Sequence, residues 1–304
     1  MAVRCVARET VVIALGGNAL IEKGQKGTFS EQMRNIEKTA KEIAKIIAAG
    51  HRVVITHGNG PQVGALLLQQ EAGKRQVPAQ PMHACGAMSQ GLIGYMLQQA
   101  LSEATGKQVA TIITRVLVDE KDPAFRHPTK FVGPFYAKGQ KGRVWDSGRG
   151  FRKVVPSPDP RVIVEADAVR ALIKAGVVVI ASGGGGIPVI RKNGRLLGVD
   201  AVIDKDLAAE KLAEVVKADS MLILTPEPEV CLNYGQTGQK AIRKIKVALA
   251  RNYLLEGQFP PGSMGPKIEA AARFLEWGGS RVVITSPEMA WEGFQGKAGT
   301  AVTR

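Results

Sequence analysis

Three glycine-rich segments each follow a run of β-branched and aliphatic residues, and this arrangement restricts the fold more than any other feature of the sequence. The segments are GGN at residues 16–18, HGNG at 57–60 and SGGGG at 182–186. The run before the first segment, Thr10-Val11-Val12-Ile13, is typical of a buried parallel strand. Because the carboxyl ends of parallel strands lie at one edge of a sheet, where ligands bind, we expect the three segments to converge.

Glycine at these positions lets a ligand approach main-chain N–H groups, and the N-terminus of a following helix adds a partial positive charge. The segments therefore predict a ligand that carries phosphate or carboxylate, bound near residues such as Gly184 and Gly185. The alternative, that each glycine only turns the chain from strand to helix, explains one such segment more easily than three. None of the three completes the GxGxxG pattern of dinucleotide-binding folds, and no GxxxxGK[ST] phosphate loop occurs.

Strand-like and helix-like patterns alternate along the chain, which indicates an α/β fold with a mostly parallel sheet. Thr28 and Glu31 have the spacing of a capping box, and apolar residues then recur at helical intervals up to Gly50. Asn193-Gly194 predicts a tight hairpin turn. Further strands are expected at residues 52–56, 109–114, 177–182, 221–225 and 281–285, and further helices at 61–68, 88–101, 165–174, from 204 and after 266.

The alternation is lost between about residues 118 and 158, where prolines, glycines, aromatic residues and basic residues dominate. Long structureless loops are uncommon in compact domains, so this stretch is interpreted as an inserted subdomain. No flexible linker is evident. We expect an N-terminal lobe over residues 1–217, which includes the inserted subdomain, and a smaller C-terminal lobe over residues 218–304.

The net charge of +14 favours an anionic partner. Part of this charge is concentrated in KGQKGRVWDSGRGFRK at residues 138–153. The segment is interpreted as a solvated lid that attracts anions, and binding of RNA or DNA is the less favoured alternative.

The sequence has no apolar run of membrane-spanning length and no basic-then-apolar leader, so a cytoplasmic protein without membrane association is expected. Cys5, Cys85 and Cys231 lack the spacing of a disulfide framework or a zinc site. The four histidines also lack metal-ligand spacing, and no metal-ligating residue is predicted.

Two lysines occupy unfavourable positions. Lys205 and Lys267 both fall in the first turn of a predicted helix, where the macrodipole disfavours a cation by about 0.3–1 kcal/mol. A nucleoside triphosphate would compensate, since two unit charges about 4 Å apart interact by roughly 4 kcal/mol at an effective dielectric near 20. Asp204 or Asp206 could hold the lysines in place. The alternative is that both lysines extend into solvent.

Nine segments that span nearly the whole chain carry a resemblance to a known family. They are ALGGNAL (14–20), THGNGPQVG (56–64), CGAMSQGLIGYMLQQAL (85–101), PTKFVGPFY (128–136), VVPSP (154–158), ASGGGGIPV (181–189), VIDKDLAAEKLA (202–213), PGSMGPKIEAA (261–271) and GKAGT (296–300). Together they resemble the carbamate kinases of the amino-acid kinase family. Any one of the glycine segments alone would be a weak signal.

The resemblance implies an open, mostly parallel, eight-stranded sheet between helices, with a small protruding subdomain. It implies a phosphotransferase that moves the γ-phosphoryl group reversibly between ATP and carbamate, giving ADP and carbamoyl phosphate with Mg²⁺. It also implies a homodimer, with carbamate in the N-terminal lobe and nucleotide in the C-terminal lobe, and links the chain to arginine metabolism. The direction of the reaction in the cell, ATP synthesis or carbamoyl phosphate supply, stays open.

The resemblance also assigns roles to residues. Lys205 and Lys267 neutralise the phosphates, Asp206 orients these two lysines, and Lys130, in the inserted subdomain, reaches the carbamoyl group. The residues that face the transferring phosphoryl group and the carbamate are Gly16, Gly17, Asn18, Gly58 and Asn59.

Ala14 stands where related kinases of larger substrates often carry a lysine, which separates the carbamate branch from them and makes Lys130 the candidate cation for the transferring group. The chain departs from the family pattern at two places. The segment Pro226-Glu227-Pro228-Glu229-Val230-Cys231 replaces a usual D-V-[DE]-x-V-Y, and the inserted subdomain is short around residues 136–145. Two other functions are considered: a non-catalytic nucleotide- or nucleic-acid-binding protein on the same fold, and a kinase of another small carboxylate.

Overall fold

The computed structural model describes residues 8–22, 24–136, 143–146 and 150–304. Its strands, in chain order, are β1 (Thr10–Leu15), β2 (Arg52–His57), β3 (Val109–Thr111), β4 (Arg115–Val118), β5 (Lys130–Tyr136), β6 (Arg143–Asp146), β7 (Gly150–Val155), β8 (Pro160–Ile163), β9 (Val178–Ile180), β10 (Ile187–Lys192), β11 (Arg195–Gly198), β12 (Ser220–Leu224), β13 (Val230–Leu232), β14 (Lys240–Ile242), β15 (Lys244–Lys246), β16 (Arg281–Thr285) and β17 (Thr300–Thr303).

Its helices are α1 (Phe29–Ala48), α2 (Gly60–Gly73), α3 (Met82–Thr105), α4 (Ala166–Lys174), α5 (Lys205–Val216), α6 (Val247–Leu255), α7 (Met264–Trp277) and α8 (Ala290–Phe294). Short 3₁₀ turns occur at Gly17–Ala19, Pro123–Phe125, Gly183–Gly185 and Pro287–Met289. The predicted capping box at the start of α1 is confirmed: the Thr28 side chain accepts from the Glu31 N–H, and the Glu31 carboxylate accepts from the Thr28 N–H.

The predicted eight-stranded sheet is confirmed, with strand order β15-β17-β16-β12-β1-β2-β9-β3. Neighbouring strands are parallel except β16 and β17, which are antiparallel. Successive side chains of β1 point to opposite faces of the sheet, and helices cover both faces. Val12 and Ala14 pack in a core with α4, α5 and α7, whereas Val11, Ile13 and Leu15 pack in a second core with α1 and α3.

The prediction of a single strand at residues 109–114 is correct for its start but wrong for its end. β3 ends at Thr111, and the chain leaves the large sheet to enter a second sheet of order β11-β10-β4-β8. Gln90 fixes the crossing point, because its side chain accepts from the Thr114 N–H at 2.7 Å and donates to the Thr114 carbonyl at 3.1 Å. The hairpin between β10 and β11 is confirmed, with positive φ at both Asn193 and Gly194.

The stretch 118–158 contains a three-stranded antiparallel sheet of order β5-β7-β6. Val132 and Val155 of this sheet pack with Met82 of α3 in a small apolar cluster, which Leu67 and Val202 adjoin. The sheet is therefore seated on the main body of the molecule. Of the basic segment 138–153, residues 138–142 and 147–149 lie outside the described residues, so its interpretation as a lid stays a prediction.

The division at residues 217 and 218 also stays a prediction. Strands from both sides of this point share the large sheet, where β12 pairs with β1 through five residue pairs. Within the described residues, no helix is both long enough and apolar enough to cross a membrane. Cys85 and Cys231 are free thiols, and Cys5 lies outside the described range.

Candidate active site

The three glycine-rich segments meet at one cleft, as predicted. Gly17, Gly58 and Gly184, which follow the neighbouring strands β1, β2 and β9, line a cavity of about 230 Å³ at the carboxyl edge of the large sheet. Asn59 lies in the same wall. The same cavity is lined by the charged residues predicted from the sequence: Lys130, Lys205, Asp206 and Lys267.

Lys205 and Lys267 converge on a single carboxylate. Lys205 is the first residue of α5 and Lys267 the fourth of α7, so both lie in first turns as predicted. The Lys205 ammonium is 2.6 Å from one oxygen of Asp206, and the Lys267 ammonium is 3.1 Å from the other. Their side chains are only 20% and 9% exposed, which excludes the alternative that they extend into solvent.

Burial and mutual charge together set the pKa values within the triad of Lys205, Asp206 and Lys267. Burial by itself would raise the pKa of the Asp206 carboxyl, but the charges of Lys205 and Lys267 outweigh it and hold the pKa at about 2. Burial, followed by repulsion from Lys205, lowers the pKa of Lys267, and attraction to Asp206 opposes both effects. Asp206 is therefore a carboxylate at neutral pH that keeps two close ammonium groups side by side.

The reason for each glycine differs from one segment to the next. A Cβ on Gly16 would lie 2.7 Å from the Leu224 carbonyl oxygen, so Gly16 is required by contact with β12, and its own N–H donates to that oxygen. A Cβ on Gly58 would lie 3.0 Å from the Lys205 side chain. A Cβ on Gly17, in contrast to Gly16 and Gly58, would meet no atom of the described residues within 4 Å. At Gly16 and Gly58, protein atoms therefore occupy the space that a side chain would need. At Gly17, that space is free for an anionic ligand.

The third glycine segment shapes the back of the cleft. Gly184 has φ of +67°, and a Cβ there would lie 2.1 Å from the Asn59 side-chain nitrogen. Gly185 packs against the Ile203 carbonyl oxygen and does not line the cavity. The Asn59 amide donates to the Ser89 hydroxyl at 2.6 Å, so it is held from α3. Asn18 lies in the 3₁₀ turn beside Gly17, and its predicted contact with substrate stays a prediction.

His57 supports this wall and is not a ligand candidate. Burial lowers its pKa to about 4, so the ring is neutral, and its Nδ1 atom donates to the Gly58 carbonyl at 2.9 Å. A Cβ on Gly183 would lie 2.3 Å from the His57 ring, which shows how tightly the second and third glycine segments pack.

Lys130 projects into the cleft from the inserted sheet. Its ammonium lies 2.7 Å from an oxygen of Asp204, the residue immediately before α5. The other oxygen of Asp204 accepts from the Asp206 N–H at 2.9 Å and caps the helix. The sequence predicts Asp204 as a partner of Lys205 or Lys267 and gives no signal for its pairing with Lys130.

Several further cleft residues were not predicted from the sequence. They are Gly60, Pro61, Val63, Phe131, Val132, Val202, Ile203, Asp204 and Gly262. Most flank a predicted residue by one to three positions, and this proximity was the only signal available for the apolar members. Gly262 precedes α7 in the same way that the other glycines precede their helices, which is a signal that the sequence does carry.

The cleft suits a small, highly charged anion. Three ammonium groups face two carboxylates, which leaves an excess of one positive charge before any ligand enters. The N-termini of α5 and α7 add partial positive charge at the same place. Within the described residues, no group of three or more His, Cys, Asp or Glu side chains could hold a metal ion.

The divergent segment 226–231 lies at the same sheet edge. The Pro228 carbonyl accepts from the Thr285 hydroxyl at 3.3 Å, and the Val230 N–H donates to the Thr300 hydroxyl at 2.8 Å. The segment is thus fixed to the end of β16 and the start of β17, within the part of the chain predicted to hold the nucleotide.

Comparison with known proteins agrees with this geometry. Residues 9–286 match the model of the amino acid kinase family. The chain is 56% identical to the carbamate kinase of Pyrococcus horikoshii, covering 97% of this chain and 99% of that protein. It is 46% identical to the carbamate kinase of Trichomonas vaginalis, over 96% and 98% of the two chains.

Solved structures give the same result. Carbamate kinase from Giardia lamblia bound to AMP-PNP superposes with a TM-score of 0.91 at 44% identity, covering 98% of this chain and 99% of that chain. An N-acetylglutamate synthase from Neisseria gonorrhoeae, 16% identical with a TM-score of 0.61 over 97% of this chain and 61% of that chain, shares the fold alone.

Proposed function

The chain belongs to the amino acid kinase family, and we propose that it acts as a carbamate kinase, which transfers the γ-phosphoryl group reversibly between ATP and carbamate. Relatives named carbamate kinase match it over nearly their whole length. The AMP-PNP in the Giardia structure supports ATP and ADP as the nucleotides. Carbamoyl phosphate is the second product of the forward reaction.

The observation that carries this proposal is the convergence of Lys205 and Lys267 on Asp206 beside the glycine segments. Phosphoryl transfer requires positioning and positive charge more than covalent chemistry. A buried pair of ammonium groups at two helix N-termini supplies that charge where a triphosphate would lie.

The proposed mechanism assigns each group one task. A carbamate oxygen attacks the γ-phosphorus in line while the bond from that phosphorus to the β,γ-bridging oxygen breaks and ADP leaves. Because carbamate is already an anion, no general base is needed. Lys205 and Lys267 stabilise the charge that spreads over the phosphoryl oxygens, and Asp206 keeps the two lysines together. Lys130 binds the carbamate or carbamoyl group. Gly17 leaves room for the phosphoryl oxygens, and Gly184 lines the same cavity.

Mg²⁺ enters this proposal as part of the nucleotide substrate. Both cleft carboxylates, Asp204 and Asp206, are already paired with lysines, so the described residues do not form a site that would hold the ion by themselves. Mg²⁺ commonly binds through substrate phosphates and waters in such sites, where it neutralises phosphate charge.

A homodimer is also part of the proposal. Met88, Leu92 and Tyr95 lie three and four positions apart on α3 and are 42%, 39% and 54% exposed. Phe29, 50% exposed, stacks on Tyr95 with ring centroids 6.3 Å apart. We name these four residues the apolar face, and we propose that it contacts a second copy of the chain. A cytoplasmic location and a place in arginine metabolism complete the proposal.

The other two functions considered from the sequence are not favoured by the comparisons. The relatives reported above are named carbamate kinases, which disfavours a non-catalytic protein that binds nucleotide or nucleic acid. Transfer to another small carboxylate would use the same cleft, so an assay has to separate it from transfer to carbamate.

The decisive assay supplies ADP and Mg²⁺ with either carbamoyl phosphate or acetyl phosphate and detects ATP by coupled reduction of NADP⁺. Lys267→Met serves as the blank. We expect rapid ATP formation from carbamoyl phosphate and little from acetyl phosphate. ATP formation no faster than the blank with carbamoyl phosphate would refute the proposal, and preference for acetyl phosphate would transfer it to another carboxylate.

A further inference from the structure

We infer that Asp204 is a positioning residue, which holds the ammonium of Lys130 over the cleft and ties it to the first turn of α5. The inference rests on the proposed function for its effect on rate, but its structural part can be tested without any activity. It goes beyond the residue roles given above, in which Lys130 acts alone.

Each oxygen of the Asp204 carboxylate has its own partner. One oxygen accepts from the Asp206 N–H at 2.9 Å and so caps the helix that carries Lys205 and Asp206. The other accepts from the Lys130 ammonium at 2.7 Å. The Asp204 residue is only 8% exposed, so this carboxylate has little freedom to move. One side chain thereby fixes Lys130 relative to the phosphate-binding lysines.

The ion pair is not needed to attach the inserted sheet. That sheet is seated on the main body through Val132 and Val155, and the Pro156 carbonyl accepts from the Val202 N–H at 2.9 Å. The segment that leads to Asp204 is therefore already joined to the end of β7. What the pair adds is a defined position for the end of a long, flexible lysine side chain.

Two separate carboxylates divide the three cleft lysines between them. Asp206 pairs with Lys205 and Lys267, whereas Asp204 pairs with Lys130. The two aspartates stand on either side of Lys205 in sequence, and the turn of the helix start directs their side chains to different partners. Asp204 therefore gives the Lys130 ammonium its own defined position at the cleft.

Asp204→Asn separates the two tasks of the residue. Asparagine caps helices about as well as aspartate, so the helix start is kept, but the negative charge that pairs with Lys130 is lost. We expect kcat/KM for carbamoyl phosphate to fall by about tenfold to a hundredfold, because misplacing a group by about 1 Å can cost about a hundredfold in rate. The KM for ADP and the thermal midpoint should stay near the wild-type values.

The effect must disappear when Lys130 is absent. In a Lys130→Met background, adding Asp204→Asn should change kcat/KM by less than about twofold, because the two residues act through one contact. Asp122→Asn is the matched control, since Asp122 also caps a turn through the Ala124 N–H but lies outside the cleft. An equal loss of rate in both backgrounds would overturn the inference, as would a wild-type rate for Asp204→Asn.

A labelling experiment tests the structural part independently of catalysis. Lys130 should react with acetic anhydride about threefold faster in Asp204→Asn than in the wild type, which is the ratio that a partly exposed ion pair can supply. Peptide mass spectrometry measures the rate, with Lys38, which pairs with Glu22 and does not line the cleft, as the internal reference. Equal labelling of Lys130 in both proteins would refute the inference. If the wild type made no ATP, the proposed function would fail, and the labelling would still decide the role of Asp204.

Discussion

The ammonium of Lys267 lies 3.1 Å from the carboxylate of Asp206, although 61 positions separate the two residues in the sequence. Each stands in the first turn of its own helix, and the contact brings the N-termini of α5 and α7 together. A lysine is electrostatically disfavoured at a helix N-terminus and by burial, so this arrangement sacrifices stability. A bound anion would offset this electrostatic cost, which supports an anion-binding role for the site.

Removing the Lys267 ammonium should abolish most activity without unfolding the protein. For Lys267→Met we expect kcat/KM to fall by at least about a hundredfold, the usual loss when one stabilising group is removed from a charged transition state. The thermal midpoint should stay the same or rise, because the ammonium is buried against Lys205. The coupled ATP assay and calorimetry measure the two effects. Lys107→Met, at an exposed position, is the control and should be fully active.

Asp206→Asn should destabilise the fold strongly, because it leaves two close ammonium groups without a counter-charge. We expect the free energy of unfolding at pH 7 to drop by about 3 kcal/mol, measured by urea denaturation. The pKa of Asp206 is lowered to about 2 from 3.8, so its stabilising contribution is present above pH 3.8 and is lost as pH falls toward 2. The difference between variant and wild type should therefore narrow at low pH, and equal stability at pH 7 would contradict this description of the triad.

Gly184→Ala should damage the cleft more than the same change at another left-handed glycine. A Cβ at Gly184 would overlap the Asn59 amide at 2.1 Å, whereas a Cβ at Gly176, with φ of +83°, meets nothing within 4 Å. Both variants bear a similar backbone cost, about 1 kcal/mol. Only Gly184→Ala should also lower kcat/KM, by about tenfold or more, because it displaces a cleft side chain. Steady-state kinetics of the two proteins, side by side, would show it, and equal activities would remove the proposed role of this contact.

Glu210 should make the protein less stable as pH rises. It is fully buried in α5, and neither of its oxygens accepts a hydrogen bond from a donor in the described part of the chain. Burial first, and then the neighbouring Glu214, raise its pKa to about 8 from 4.5. Between these two values the unfolded chain releases the proton that the folded protein retains, so the free energy of unfolding falls as pH rises from 4.5 to 8.

The comparison with Glu210→Gln isolates this effect. Glutamine cannot ionise, so the variant should gain stability relative to the wild type as pH is raised, and should be the more stable protein at pH 8. Glu37→Gln, at an exposed position of α1, controls for the loss of a carboxylate. Thermal midpoints across this pH range measure the difference. Parallel pH curves for the wild type and Glu210→Gln would show that Glu210 is not protonated by folding.

The apolar face should hold two copies of the chain together. Leu92→Asp places a charge in its centre, so a protein that is a dimer of 32.4 kDa chains should become monomeric in light-scattering measurements. Leu255→Asp, at an 87% exposed position on α6, is the matched control and should leave the mass unchanged. A wild-type monomer, or a dimer unaffected by Leu92→Asp, would refute the proposed interface.

Much of this fold could be predicted from local sequence signals. The capping box at Thr28 and Glu31, the Asn193-Gly194 turn and the glycine segments after β1, β2 and β9 each depend on neighbouring residues only. The unfavourable positions of Lys205 and Lys267 could also be predicted, because a helix start and its charge are both visible in the sequence.

The remaining features depend on contacts between distant segments. Lys130 and Asp204 are 74 positions apart, and nothing in either sequence segment specifies the partner. The sequence predicts a ligand beside Gly16, whereas the absence of a side chain there makes room for the Leu224 carbonyl of an adjacent strand. The departure of the chain from the large sheet after Thr111 depends on Gln90 from α3. Such features can be predicted only when the pairing of all strands in the sheet is known.

The most direct test of the central claim is a crystal structure of the protein with a non-hydrolysable ATP analogue and Mg²⁺. The triphosphate should lie in the cleft with its oxygens within hydrogen-bonding distance of the Lys205 and Lys267 ammonium groups, and with Gly17 beside the terminal phosphate. A nucleotide bound with its phosphates away from both lysines, while these remain paired with Asp206, would contradict it.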